Sequence, residues 1–503
     1  MTNHLIAGFP AFAAGSARPF IEKPDGAVIS YGDARALSGR LANLLVALGV
    51  MPGDRVAVQV EKSAEALLLD LACVRAGAVL LPLNTDYKTA ELDYFVGDSQ
   101  PAVIVGAPAR AAEFEGLAAR HGVAHALTLG TDGASGSLLE QALAQPAEFA
   151  DVDRDPSDPA AILYTSGTTG RSKGALLSHG NLASNAATLT DLWRFTEADV
   201  LLHALPIFHT HGLFVATNIV LTARASMVLL PRFDVDEVFR LMPKATTMMG
   251  VPTFYVRLAA DARLTRQATA HMRLFVSGSA PLLAETHRQF ADKTGQAILE
   301  RYGMTETNMN TSNPYDGERR PGTVGPPLPD VDLRIVDAAT GAPLPQGEIG
   351  MIEVKGPNVF AGYWRMPEKT AQEFRPDGFF ITGDLGVLDA DGYVFIVGRG
   401  KDLVIAGGYN IYPKEIEGEI DAIPGVVESA VIGVPHKDLG EGVVAVVVGA
   451  PELTEAGILA AIAERLARFK QPRRVILVDE LPRNAMGKVQ KAALRERYAN
   501  LLS

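Results

Sequence analysis

Short apolar runs alternate with amphipathic stretches along most of this chain, and that rhythm limits what it can fold into. Arg55-Val56-Ala57-Val58-Gln59-Val60 reads as a strand and Ser63 to Ala76 as a helix. Ala78-Val79-Leu80-Leu81-Pro82-Leu83, Ala102-Val103-Ile104-Val105 and Ala225-Ser226-Met227-Val228-Leu229-Leu230 read as further strands. Strand and helix in alternation predict largely parallel sheets covered by helices. Ligands of such folds gather where loops leave strand ends. At 503 residues the chain exceeds a single core, so two or more domains are expected.

Beyond about Gly341 the texture changes to short strands and Gly/Asp turns, such as Gly350-Met351-Ile352-Glu353-Val354 and Tyr393-Val394-Phe395-Ile396-Val397. A small antiparallel or barrel-like subdomain is expected over about 341–400. After the polar stretch Gly398-Arg399-Gly400-Lys401-Asp402 come a helix (Pro413 to Ala422), two strands (Glu428 to Val434, Gly442 to Val448), a helix (Glu455 to Leu466) and a strand (Arg474 to Val478). The expected fold class is therefore α/β. A large N-terminal domain of layered βαβ sheets (1–400) is followed by a mobile α+β C-terminal domain (402–503), with a hinge near Lys401.

A formal net charge of -12 argues against a nucleic-acid binder, although local cations can still hold anionic ligands. Cys73 is the only cysteine and sits in an apolar run, where a small buried hydrophobe is expected. The N-terminus lacks the basic start of a secretory signal, and no apolar run approaches a membrane span. A cytoplasmic protein with no membrane partner is expected; oligomeric state is not legible.

The densest chemistry lies in Tyr164-Thr165-Ser166-Gly167-Thr168-Thr169-Gly170-Arg171-Ser172-Lys173-Gly174, directly after the strand-like Ala160-Ala161-Ile162-Leu163-Tyr164. Glycines let the backbone approach an oxyanion, hydroxyls donate to it and the cations supply charge, so a polyphosphate is the expected ligand. The run is not a P-loop, because Gly174 rather than a hydroxyl residue follows Lys173.

Further polar clusters follow in order: His203 to Gly212 with His209 and His211; Ser277-Gly278-Ser279-Ala280-Pro281; Glu300-Arg301-Tyr302-Gly303-Met304-Thr305-Glu306-Thr307 and a polar loop after it; Thr382-Gly383-Asp384; Gly398-Arg399; and Pro482 to Lys488. In this order they resemble the motifs of the acyl-adenylate-forming superfamily: acyl-CoA synthetases, adenylation domains and luciferases. Phe208-His209-Thr210-His211-Gly212, Thr286-His287-Arg288 and Thr305-Glu306-Thr307-Asn308-Met309-Asn310 resemble most closely the malonyl-CoA synthetases.

The resemblance implies two steps: a carboxylate attacks the α-phosphorus of ATP to give an acyl-AMP and pyrophosphate, and coenzyme A then displaces AMP. By resemblance, Thr165, Ser166, Gly167, Thr168, Thr169 and Lys173 would hold the phosphates, and Glu306 with Thr165 would bind Mg²⁺. Gly278, Ser279, Ala280, Glu300, Arg301, Tyr302, Gly303, Met304 and Thr305 would complete the ATP site, with Tyr302 stacking on the base. Asp384 and Arg399 would hold the ribose. Lys488 would bridge the carboxylate and the α-phosphate, Lys401 would be the hinge, and Gly407, Gly408 and Tyr409 would serve coenzyme A.

A malonate-like acid brings a second carboxylate that needs a cation. Arg288 is the candidate, because a guanidinium binds a carboxylate bidentately. His209, His211, Ser277, Ser279 and Met304 would line the same pocket. Malonate is the expected acid and methylmalonate a secondary one. The alternatives are a coenzyme A ligase for another small acid, or a stand-alone adenylation enzyme loading a carrier protein. A lysine acetyltransferase acting on Lys488 would remove its charge.

Overall fold

The computed structural model describes residues 2–132, 135–165, 172–406, 409–484 and 487–502. The chain divides into two compact units. The first comprises Met1–Pro321, Pro327–Asp332 and Lys355–Gly378; the second comprises Gly322–Pro326, Leu333–Val354 and Phe379–Ser503.

The first unit holds two large sheets. One is seven-stranded, in the spatial order Gly362–Tyr363, Lys173–Ser178, Pro159–Thr165, Val79–Pro82, Arg55–Gln59, Val103–Gly106, His125–Thr128. Its pairings are parallel except at the end that carries the glycine-rich run, where Pro159–Thr165, Lys173–Ser178 and Gly362–Tyr363 are antiparallel. The helix Ala64–Ala76 is capped by the Ser63 side chain, which accepts from the Ala66 N–H, and every residue in it is buried. That helix carries Cys73, whose burial matches the sequence expectation.

The other sheet is eight-stranded, in the order Asn308–Ser312, Leu299–Met304, Leu274–Ser277, Thr247–Gly250, Val200–His203, Ser226–Leu229, Pro19–Glu22, Val28–Ser30. Only its two outer pairs are antiparallel. The central strands end at His203, Gly250 and Ser277, which brings those chain ends side by side. Helix His179–Leu192 ties into this sheet through Asn185, whose Nδ2 donates to the Met309 carbonyl at 3.1 Å.

One sequence expectation fails here. The residues after Glu306 are not a loop: Asn308–Ser312 is a fully buried edge strand. Several of its polar side-chain atoms find partners, although Asn308 Nδ2 and Asn310 Nδ2 have none among the described residues. Asn358 Nδ2 donates to Asn310 Oδ1, Trp193 Nε1 donates to Ser312 Oγ, and Thr210 Oγ1 donates to Asn308 Oδ1. Buried amides and hydroxyls are tolerated when bonded in this way.

The second unit contains a four-stranded sheet (Asp332–Val336, Gly350–Lys355, Phe380–Leu388, Val394–Arg399) and a five-stranded one. The latter is built on the long hairpin Val426–His436 and Gly440–Gly449, with Arg474–Leu477 added in parallel. Helices Pro413–Asp421 and Glu455–Ala463 contribute Ile416, Ile420, Ile458 and Ile462 to its core. Contacts in this structure group residues 379–400 with the C-terminal part. Among the described residues no helix is long and apolar enough to cross a membrane.

Asp70 lies in the buried helix, and burial alone raises its pKa to about 7. The folded state then holds a proton that the unfolded chain releases above its ordinary carboxylate pKa. Stability therefore falls as pH rises from about 4 to about 7, by on the order of a few kcal/mol. Asp70→Asn should raise the melting temperature more at pH 8 than at pH 5, measured by thermal denaturation at both pH values.

Candidate active site

Thr165 and Lys173 face each other across the antiparallel pair at the mouth of the glycine-rich hairpin, where Thr165 Oγ1 donates to the Lys173 carbonyl at 3.4 Å. Ser166, Gly167, Thr168 and Thr169 lie outside the described residues. Both shoulders of the hairpin are pinned by one helix, Thr89–Ser99. Tyr94 Oη donates to the Ser172 carbonyl at 2.7 Å, and Tyr164 Oη donates to Asp98.

The two-residue edge strand Gly362–Tyr363 lies beside Lys173–Ser178, and it sets Tyr363 between two of the sequence candidates. The Lys173 ammonium sits 4.1 Å from the Tyr363 ring centroid, and Tyr363 Oη donates to Glu306 Oε1 at 3.0 Å. Lys173 also pairs with Glu373 at 3.3 Å. Gly362 has φ 148°, and a Cβ there would come within 2.6 Å of Thr370 Cγ2, so the approach of this strand demands glycine. Glu306 is buried at the tip of the Leu299–Met304/Asn308–Ser312 hairpin, followed at Asn308 by a left-handed φ of 49°. A buried carboxylate suits a hard cation that keeps most of its waters. Among the described residues no group of three or more His, Cys, Asp or Glu side chains could hold a metal.

A second cluster gathers at the strand ends of the eight-stranded sheet. Ser277 ends its strand, and Ser279 follows with φ 72°, a strained conformation of the kind that concentrates at functional sites. Ser279 Oγ lies 3.1 Å from His211 Nδ1. The Arg301 guanidinium lies over Gly278, where a Cβ would come within 2.2 Å of Cζ. Arg301 is 3% exposed. Its Nε and Nη2, His211 Nε2 and Ser277 Oγ have no hydrogen-bond partner among the described residues. Burial pushes the Arg301 pKa down to about 9, opposed by Tyr255 and Glu300. Burial, then Arg301, then His209 and His203 hold the His211 pKa well below the ordinary imidazole range. At neutral pH the pocket thus presents a charged guanidinium beside a neutral imidazole.

The sequence assigned the cation of the acid pocket to Arg288 and placed Arg301 with the nucleotide. Arg288 instead lies on the exposed face of helix Ala284–Thr294, where it pairs with Glu285 at 3.0 Å. Arg301 is the cation beside His211. A helix arginine and a strand arginine look alike in sequence, and only the inward direction of the strand end separates them. His209 accepts from the His211 N–H at 3.3 Å. Ala280 is half-buried on the loop after Ser277, as are Tyr302, Gly303 and Met304 on the strand Leu299–Met304 and Thr305 at its turn. Glu300 is buried and accepts from the Leu282 N–H at 3.1 Å.

In the second unit, Asp384 and Arg399 are register partners across their hairpin and form an ion pair of 2.6 Å. Lys488 keeps an exposed side chain. Lys401 lies in the short turn Gly400–Asp402. Gly407 and Gly408 lie outside the described residues, and Tyr409 stacks on Phe469 with ring centroids 4.6 Å apart.

A family model for the AMP-binding enzymes matches residues 11–364, and one for the AMP-binding enzyme C-terminal domain matches residues 415–488. The chain belongs to the AMP-binding enzyme family. The malonate–CoA ligase of Arabidopsis thaliana is 34% identical to it, over 95% of this chain and 86% of that one. The feruloyl-CoA synthase of an Amycolatopsis species is 36% identical, over 94% of each. The ATP-bound crystal structure of MatB from Rhodopseudomonas palustris is 60% identical, covers 100% of both chains and superposes with a TM-score of 0.96. This AMP-binding enzyme is an AMP-forming acyl-CoA synthetase, an acid–thiol ligase, with the mixed α/β architecture and separate C-terminal domain of its family.

Sequence reasoning missed Tyr363 and Glu373, because neither touches its partners until the edge strand is added to the sheet. Loss of a hydrogen bond to a carboxylate typically costs about 1.5–3 kcal/mol. Tyr363→Phe keeps the ring under Lys173 but removes the hydroxyl bond to Glu306, and should lower kcat/KM for ATP roughly tenfold. Tyr363→Leu should lower it further in the same steady-state assay.

Proposed function

We propose that this enzyme is a malonyl-CoA synthetase, an ATP-dependent malonate:CoA ligase that works through malonyl-AMP and releases pyrophosphate and AMP. One observation carries the choice of acid: the buried Arg301 guanidinium, with unpartnered Nε and Nη2, beside His211 and Ser277. Relatives of nearly equal identity act on malonate or on a feruloyl acid, so identity at that level does not select the substrate. A buried cation does. It would be left uncompensated by a monocarboxylate, whose only charge is spent at the α-phosphorus, but it is matched by a distal carboxylate. Methylmalonate is a secondary substrate on this reading, because one methyl gives only about 1–3 kcal/mol of discrimination.

In the first step the glycine-rich hairpin and Lys173 orient the phosphates, Asp384 and Arg399 hold the ribose, and Tyr302 with Gly278, Ser279 and Ala280 borders the adenine. Glu306 and Thr165 would hold a magnesium ion, which neutralises phosphate charge when bound. Lys488 supplies a point charge between carboxylate and α-phosphate, the repulsive contact of the reaction. Residues after Lys401 then act as a mobile domain in the coenzyme A step, with Gly407, Gly408 and Tyr409 serving the thiol substrate. Acetylation of Lys488 by a lysine acetyltransferase would silence the first step. The cytoplasm, where ATP and coenzyme A are abundant, is the matching compartment.

The test is pyrophosphate release over malonate, methylmalonate, succinate, acetate and benzoate, each with and without coenzyme A. Malonate should lead the panel. Arg301→Gln should raise KM for malonate by roughly thirtyfold or more, the loss of a charged partner being worth about 2–5 kcal/mol. KM for ATP and the behaviour of the exposed Arg288→Ala variant should stay near wild type. A rise confined to the KM of ATP would return Arg301 to the nucleotide and remove the basis for a diacid. Lys488→Ala should lose pyrophosphate release yet still convert supplied malonyl-AMP with coenzyme A. Equal loss of both half-reactions would contradict its role.

A further inference from the structure

Lys62 is buried and forms no ion pair among the described residues. It lies between strand Arg55–Gln59 and helix Ala64–Ala76 of the seven-stranded sheet, but its ammonium reaches the other sheet. Lys62 Nζ lies 2.9 Å from His203 Nδ1 and donates to the His203 carbonyl at 2.8 Å. His203 ends the strand Val200–His203, between strands Ser226–Leu229 and Thr247–Gly250. Its other ring nitrogen, Nε2, lies 2.9 Å from the Gly212 carbonyl. A carbonyl only accepts, so Nε2 carries the proton, and Nδ1 is left to accept from Lys62.

Gly212 belongs to the π-helical turn His211–Ala216, in which every residue is buried. Such turns are rare and appear mostly at functional sites. Their widened bonding leaves carbonyls that need outside donors. The Gly212 carbonyl has two, His203 Nε2 and Thr217 Oγ1, the latter at 3.0 Å. The turn is also wedged from below, since a Cβ on Gly212 would lie 2.1 Å from the Pro206 carbonyl oxygen. The residue at the start of this turn is His211, which meets Ser279 and faces Arg301.

We propose that Lys62 is a positioning residue for the acid pocket: through His203 it holds the Gly212 carbonyl, and with it the π-helical turn that sets His211 against Ser279. The inference rests on the acid-pocket reading above and deepens it. A buried amine with no carboxylate partner is a poor choice for stability, where a Met of similar length would pack without a desolvation cost. Its place at the junction of two sheets is intelligible if it is used to fix geometry. The ammonium is long enough to cross from one sheet to the other, and it can donate to a ring nitrogen and a carbonyl together.

The two roles of Lys62 predict different outcomes, and this makes the idea testable on the full-length enzyme. Lys62→Met should change the melting temperature little, because relief of lysine desolvation offsets the acceptor left bare at the buried His203 Nδ1, while KM for the acid rises about tenfold and KM for ATP stays within twofold. His203→Leu should raise KM for the acid similarly. His203→Gln can still accept from Lys62 and donate to Gly212, and should recover most of the affinity lost in the leucine variant. A Lys62→Met enzyme with lowered melting temperature, lowered kcat and an unchanged KM for the acid would make Lys62 a structural residue only and overturn the proposal. The measurement uses whichever acid the substrate panel ranks first. A panel led by a monocarboxylate would sink the malonate reading without deciding Lys62. An effect of Arg301→Gln on malonate with none from Lys62→Met would sink this proposal alone.

Discussion

One candidate pocket is organised around a single buried charge. The Arg301 guanidinium is packed against Gly278 with donors that no described residue satisfies. Proteins seldom leave such groups without partners, because a buried cation that gives up water without gaining hydrogen bonds is costly. The cost is offset across the large core of the eight-stranded sheet, where Phe275, Tyr255 and Phe290 pack edge to face and anchor the strand ends on either side. A rigid, desolvated cation is what a carboxylate ligand can use, since the protein need not reorganise when the ligand arrives.

The polar strand Asn308–Ser312 follows from the same economy of partners. Its amides and hydroxyls bond to Asn358, Trp193 and Thr210, and this carries the hairpin into the interior and Glu306 to its tip. Tyr363 then joins two sites that belong to different sheets: its ring lies under Lys173 and its hydroxyl reaches Glu306. Lys62 makes the corresponding link at the other pole, from the loop after Arg55–Gln59 to the end of Val200–His203. Functional groups on two sheets keep their spacing because single side chains span the gap.

Much of the fold was legible in the chain. The strands around Val56, Leu80, Ile104 and Val228 lie where apolar runs put them, and the helix expected over Ser63 to Ala76 runs Ala64–Ala76. Periodicity reads well where burial is uniform. It failed at Asn308–Ser312, where polar residues imitate a loop. That outcome is not encoded locally, because the strand depends on Trp193, Thr210 and Asn358, far away in sequence.

The site divides the same way. Residue types and order alone, with the family they resemble, single out Lys173, Glu306, Asp384, Arg399 and Lys488 as candidates, because phosphate, metal and ribose chemistry would each demand a particular side chain. That Arg301 is buried while Arg288 is exposed was decided only by tertiary structure, as were the contacts of Tyr363 and Lys62. Burial is a property of where a backbone segment ends up. A guanidinium on an exposed helix face is screened by water, while the same group at an inward strand end must find an anion.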